Sequence, residues 1–316
     1  MIYPELVCRW ARLMFRSPAL GRLPGVWRIK HHFLDLKRVQ FRRSLILTRI
    51  EIGDHPQIWI DPNDLIGRTI YFRGAWEAPV ARRFLSMIRP GDHVLDIGAN
   101  IGQYTLLASS AVGPEGRVYA VEASPQMAQR LKVNIEVNLF SNISVIEAAA
   151  WDRDEPLILR PGDFDNAGTA SVAAPSSQSD GSSEGNAAVT IPGRRLDALL
   201  EALGCERIDL IKIDVEGAES RALAGLGRFL TARPPRAIFS EFTCDSTQPE
   251  QTAQSQALHR QLVAAGYTAR LADNPEGQEF QPDATPTTTR QEAVVYLLSD
   301  GVNAASLPNP IDSRRT

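Results

Sequence analysis

The 316-residue chain has only three cysteines, Cys8, Cys205 and Cys244, far apart in sequence. An odd, scattered set builds neither a disulfide framework nor a zinc knuckle. Histidine is also scarce. His31, His32, His55, His93 and His259 form no H-x-E or H-E-x-x-H pattern, which argues against a histidine metal site. No apolar run approaches the roughly 18–20 residues of a membrane-spanning helix. Arg9 and Arg12 interrupt the apolar start, which reads against a cleaved signal peptide and towards a cytoplasmic protein.

What is present starts with a charge split. Formal net charge is -3, yet residues 1–45 carry 10 basic and two acidic residues, while the other 271 carry 24 and 35. The chain therefore has a basic arm and an acidic body. In the arm, Leu6, Trp10, Leu13 and Met14 recur at helical spacing among Arg9, Arg12 and Arg16, until Pro18 and Pro24 break the pattern. Such a helix packs on its own domain or rests on an anionic membrane surface. No nucleic-acid motif accompanies the basic residues, and the acidic body would repel phosphates, so no specific nucleic-acid partner is expected. With 43% hydrophobic residues the chain can build a sizeable core.

The expected organisation is an arm over 1–45, a lead-in over 46–90, a main domain over 91–300 and a tail over 301–316. In the lead-in, Ile50 and Ile52, then Ile58 and Ile60, alternate with polar residues as strands do. A turn at Asp61 to Asp64 is followed by a renewed strand at Thr69 to Phe72 and a helix over 76–88. From His93 the pattern becomes strand–helix alternation: strands over 93–97, 117–121, 143–149, 208–213, 237–241 and 293–298. Helices fall between them, including 103–112, 124–139, 217–230 and 251–265. Apolar strands alternating with helices predict an open, mostly parallel α/β sheet with helices on both faces. Ligands of such sheets sit beyond the strands' carboxyl ends. Residues 172–188, with five serines and two glycines, read as a flexible insertion on that side, either a plain surface loop or a lid.

The strongest motif is V-L-D-I-G-A-N-I-G-Q-Y-T at Val94 to Thr105. A strand runs into a glycine turn and then a helix. Gly98 and Gly102 would let a ligand approach the backbone, and the helix start offers free N–H groups. A dinucleotide site needs G-x-G-x-x-G. Asn100 and the missing third glycine disfavour a nicotinamide oxidoreductase. Asp96, Gly98, Asn100 and Gly102 suit a ligand with a carboxylate and an ammonium but no pyrophosphate, as in S-adenosylmethionine. Glu122, about 20 positions on at the end of the second strand, can accept both ribose hydroxyls. After the third strand, small residues around Ala149 leave room for an adenine face, with Glu147 or a backbone amide meeting its polar edge.

A second motif, Lys212-Ile213-Asp214-Val215-Glu216-Gly217-Ala218-Glu219, gathers carboxylates where the fourth strand ends. Glu241 ends the next strand. Asp214, Glu216 and Glu219 also favour a helix N-terminus by its dipole. Functionally, a carboxylate takes a proton from an attacking hydroxyl, or the cluster holds a divalent metal that acidifies it. Lys212 either pairs with a carboxylate or tunes the cluster.

These residues resemble the FkbM family of S-adenosylmethionine-dependent methyltransferases. The likeness runs from Gly67 to Thr243 and includes Gly67 to Phe72, Gly74 to Glu77, the glycine loop, Val121 to Pro125, Leu196 to Leu200 and Ile211 to Glu219. It implies a Rossmann-like class I fold, a seven-stranded sheet with the last strand antiparallel. It also implies O-methylation of a small-molecule, sugar or glycan hydroxyl; protein or nucleic acid is the alternative acceptor. It carries cofactor roles onto Asp96, Gly98, Asn100, Gly102 and Glu122, with Glu77 reaching towards the same pocket; Ala99, Tyr104, Ala123, Glu147 and Ala149 complete the candidate cofactor contacts. Catalytic candidates are Asp214, Glu216 and Glu241, with Lys212 beside them. The basic arm and the Ser-rich insertion depart from the pattern, so acceptor identity does not carry over.

Overall fold

The computed structural model describes residues 12–13, 17, 45–160, 162, 170–173, 188–245, 247–274, 279–282 and 290–298. Most of the basic arm, most of the insertion and the tail lie outside the described residues. The part of the arm that is described packs on the domain. Arg12 donates to Thr48 Oγ1 at 3.0 Å and its guanidinium lies 4.7 Å from the Tyr71 ring centroid. Among the described residues no helix is long and apolar enough to cross a membrane.

The lead-in forms an antiparallel hairpin, β1 (Ile46–Arg49) with β2 (Gln57–Ile60), followed by helix α1 (Leu65–Arg73). The expected strand at Thr69 to Phe72 is therefore a helix. Asp64 caps it by accepting from the Gly67 N–H at 3.1 Å. The β-branched and aromatic residues there are buried from Gly67 through Phe72, so burial outweighs their strand preference. Helix α2 (Ala78–Met87) packs Val80, Ala81 and Phe84 into the core.

The main domain is a seven-stranded sheet. Its strands are β3 (His93–Ile97), β4 (Arg117–Glu122), β5 (Ile143–Glu147), β10 (Leu210–Ile213), β11 (Ala237–Cys244), β12 (Tyr267–Leu271) and β13 (Arg290–Leu298). The spatial order is β12-β13-β11-β10-β3-β4-β5, parallel except for β13, which runs antiparallel to both neighbours. Successive strand residues face opposite sides. Val94, Val118 and Leu210 therefore enter one core with α1, α2 and α3 (Gln103–Val112), while Leu95, Tyr119 and Ile211 enter the other. That second core holds α5 (Leu196–Ala202), α6 (Glu219–Ala224), α7 (Arg228–Thr231) and α8 (Pro249–Ala264). Helix α4 (Pro125–Val137) is capped by Ser124, with Pro125 at its first position, as its sequence predicts.

Three features depart from the sequence expectation. Strand β12 had no separate signal. A second sheet, order β6-β9-β7-β8, follows β5 and comprises β6 (Ala149–Ala150), β7 (Glu155–Arg160), β8 (Ser171–Ala173) and β9 (Val189–Arg194). The helix expected over 217–230 is two short helices. The break falls at Gly227, whose φ of 48° leaves the helical region, while Gly225 stays helical and must lack a Cβ because one there would lie 2.0 Å from the Trp151 carbonyl oxygen. Gly225→Ala should therefore destabilise by about 2 kcal/mol or more through this backbone clash. Gly204→Ala, at a positive φ of 74° but in open space, should cost about 1 kcal/mol. Urea midpoints at unchanged slope check the order, and equal losses would contradict it.

Candidate active site

Strand order reverses between β3 and β10. The chain moves outward from β3 to β5 and then returns on the other side of β3. The crevice at such a switch point is where open α/β sheets bind ligands. Gly98 follows β3 with φ 82°, and a Cβ there would lie 1.9 Å from the Asp214 carbonyl oxygen at the end of β10. Its bareness thus joins two strand ends. Gly102 (φ 100°) similarly leaves space that Leu131 of α4 fills, at 2.6 Å from a notional Cβ. Both glycines thus serve chain packing, and Gly98 also lines the cleft.

The loop is held from β4. Gly98 N–H and Ala99 N–H both donate to the Val121 carbonyl at 2.9 and 3.0 Å. Glu122 Oε2 accepts from Asn100 N–H and Oε1 from Ser124 N–H, each at 2.7 Å. A carboxylate has about four acceptor sites, so Glu122 keeps capacity for further donors while its position is set. Burial pushes it up to about 7, against the two N–H donors. Asp96 is 1% exposed and accepts from Thr105 Oγ1 at 2.5 Å. It orders the loop from beneath, and burial pushes it up to about 6. Ala99 and Tyr104 are buried behind the loop rather than lining the cleft. Glu147 departs furthest from expectation. It is half-exposed and paired with Lys132 outside the cleft, because β5 alternation turns it outward. Ala123, Ala148, Ala149 and Ala150 do line the cleft, as an apolar, small-residue wall.

A half-buried acidic cluster around one buried ammonium lies next to this wall. Lys212, 5% exposed, donates to Asp214 Oδ2 at 3.0 Å and sits 5.0 Å from the Tyr104 ring centroid. Burial alone would lower the ammonium's proton affinity; Asp214 and Glu77 reverse this and raise it. Tyr104 Oη donates to Glu77 Oε2 at 3.1 Å, and burial raises Glu77. Burial, then the Asp214 charge, pushes Glu216 to about 7 and Glu241 to about 8. Asp214 lines both the apolar cleft and a smaller pocket walled by Glu77, Lys212, Ser240 and Glu241. Glu219 is not in the cleft wall. Its Oε1 accepts from the N–H groups of Val215 and Gly217 at 3.2 Å, so it shapes the loop. Among the described residues, five non-glycines have positive φ, and three of them, Glu77, Asn100 and Glu216, sit here. Backbone strain concentrated in this way is typical of functional sites.

Sequence reasoning missed Gln103. Its side-chain amide accepts from Trp76 N–H at 2.7 Å and donates to the Trp76 carbonyl at 2.9 Å, which fastens the lead-in bearing Glu77 to the glycine loop. No sequence signal marks it beyond its place at the first helical position. Among the described residues no group of three or more His, Cys, Asp or Glu is arranged to hold a metal ion.

Sheet order, glycine loop and strand-end carboxylates define a class I methyltransferase fold. The methyltransferase FkbM domain family matches residues 96–268, and the chain belongs to that family. The AMB antimetabolite synthetase AmbE of Pseudomonas aeruginosa is 32% identical over 171 residues, 44% of this chain and 8% of that protein. The chain thus spans a small part of that relative. The 2-O-methyltransferase NoeI of Sinorhizobium fredii is 28% identical over 178 residues, 52% of this chain and 69% of that protein. The solved O-methyltransferase TomG of Streptomyces achromogenes is 12% identical with a TM-score of 0.42, covering 71% of this chain and 82% of that one.

Lys212→Met removes the ammonium from a cluster of half-buried carboxylates. The expected loss is about 1–3 kcal/mol at pH 8, because Asp214, 37% exposed, keeps part of its hydration when unpaired. It should shrink towards pH 5, where the carboxylates pushed to about 6, 7 and 8 all hold protons. Urea unfolding at both pH values checks this, and a pH-independent loss would contradict it.

Proposed function

We propose that this protein is an S-adenosylmethionine-dependent O-methyltransferase acting on a hydroxyl of a small molecule, sugar or glycan. One observation carries the reading: an apolar alanine-walled cleft and a half-buried acidic cluster meet at Asp214. The residues fit the cofactor. Glu122, set by two backbone N–H groups and with acceptor capacity left, suits ribose hydroxyls. The Ala148 to Ala150 wall suits adenine, and the carboxylates suit a cation. When bound, S-adenosylmethionine supplies an electrophilic methyl on a cationic sulfur. O-direction is supported by the proton-accepting groups and by the likeness to NoeI.

The chain's own residues do the rest. Asp214 is held by Lys212 through Oδ2, leaving Oδ1 to orient an acceptor hydroxyl. Glu241, pushed up to about 8, is a base whose proton affinity suits neutral conditions. It takes the hydroxyl proton as the oxygen becomes nucleophilic. Burial excludes competing water. The reading extends to a cytoplasmic enzyme, supported by Arg9 and Arg12 within the apolar start; the contacts of Arg12 with Thr48 and Tyr71 favour a packed arm over a membrane contact.

With an acceptor found by a labelled-methyl screen, kcat should rise with pH along a single limb at or below about 8, because a deprotonated Glu241 is needed and a bound cation lowers its proton affinity. Glu241→Gln should remove the limb and cost roughly 10²–10⁴ in kcat, with cofactor binding retained. A variant that keeps both limb and rate would take the base role away from Glu241.

A further inference from the structure

A second groove, of about 1120 Å³, shares Val172, Glu216 and Ala218 with the apolar cleft. It runs between α6 and α8, with Trp151 and Asp152 at its base. Its volume slightly exceeds the roughly 300–1,000 Å³ usual for small-ligand sites. It therefore has room for an acceptor of more than one ring.

The groove's chemistry is unusual for this acidic body. Gln251, Gln254 and Gln261 lie on one face of α8 and line it. Each amide offers two donors and an acceptor, and none is hydrogen-bonded to another described residue. Gln251 is nearest the reaction centre: its side-chain amide would be 3.2 Å from a Cβ on Gly217, directly beside Glu216. The groove's cations are already engaged. Arg221 pairs with Asp152 at 3.0 Å and stacks 4.7 Å from the Trp151 ring centroid, and Arg153 pairs with Glu155 at 2.9 Å. Glu216 and Glu250 add negative charge. A phosphate or carboxylate would meet no unpaired cation among the described groove residues. Neutral amides spaced along one wall of the groove match hydroxyl groups, which also both donate and accept.

We propose that this groove is the acceptor site and that it takes an uncharged, hydroxyl-rich chain of sugar units, read by Gln251, Gln254 and Gln261. The proposal rests on the methyltransferase reading above and narrows its acceptor class. An acceptor lying along α8 reaches the methyl-transfer centre past Gln251 and Glu216. Specificity then comes from amide spacing rather than charge.

The test uses the full chain with labelled S-adenosylmethionine and a panel of neutral di- and trisaccharides, the same sugars as phosphate esters, and catechol. Calorimetry measures cofactor affinity in parallel. Neutral sugars should be methylated in preference to the other two groups. Gln254→Leu and Gln261→Leu, both at exposed positions, should each raise KM for a neutral sugar by about tenfold, with kcat and cofactor affinity little changed. Cofactor binding accompanied by preference for phosphate esters or catechol, by transfer to none of the neutral sugars, or by unchanged KM in both variants overturns the groove assignment alone. A chain that binds no cofactor overturns the methyltransferase reading beneath it.

Discussion

Burying one ammonium among several carboxylates is the constraint around which the cleft is built. Lys212 sits on β10, a central strand of the sheet, where neither face reaches water. Its charge survives there only because Asp214 and Glu77 surround it. The same crowding leaves more negative than positive charge. Asp96, Glu216 and Glu241 are pushed up to about 6, 7 and 8, so that near neutrality Glu241 mostly holds its proton and Glu216 is divided between its two forms. A ligand cation entering beside Asp214 would let these groups ionise. The site is thus poised for a positive guest and poorly suited to a neutral one.

The backbone serves that charge arrangement. Gly98 brings the end of β3 within contact of the Asp214 carbonyl, which sets where the carboxylate stands. Glu122 holds the glycine loop from β4, and Gln103 ties Glu77 to the same loop. Glu77, Asn100 and Glu216 accept left-handed backbone conformations, each costing of order 1–3 kcal/mol. Core burial on both faces of the sheet offsets this strain. The groove along α8 meets that strained region at Glu216 and is otherwise walled in part by the amide side chains of Gln251, Gln254 and Gln261.

Much of this was legible in the sequence. Apolar strands alternating with helices gave the parallel sheet, and D-x-G-x-N-x-G with D-V-E-G-A-E located the strand ends that form the cleft. What escaped has physical causes. The residues Thr69 to Phe72 have strand-like side chains, but Asp64 caps a helix and burial on all sides decides it. Glu147 looked suited to adenine because it ends a strand, yet one step of alternation turned it to solvent and Lys132. That the missing Cβ atoms of Gly98 and Gly102 also admit Asp214 and Leu131 depends on contacts distant in sequence. Pairings such as Gln103 with Trp76 link elements distant in sequence, and no local pattern encodes them. The small sheet from β6 to β9 depends on strands separated by the Ser-rich stretch, which hid their alternation.

The central claim is that the half-buried carboxylates favour a cation at the cleft. Its most direct test is calorimetric titration of S-adenosylmethionine and S-adenosylhomocysteine between pH 6 and pH 8.5. The two ligands differ only in the methyl group and the positive charge it gives the sulfur. As pH rises, the carboxylates pushed to about 7 and 8 lose their protons and the cleft becomes more negative. Affinity for the sulfonium form should therefore rise relative to the neutral thioether across this range. A ratio of affinities that does not change with pH would contradict the claim.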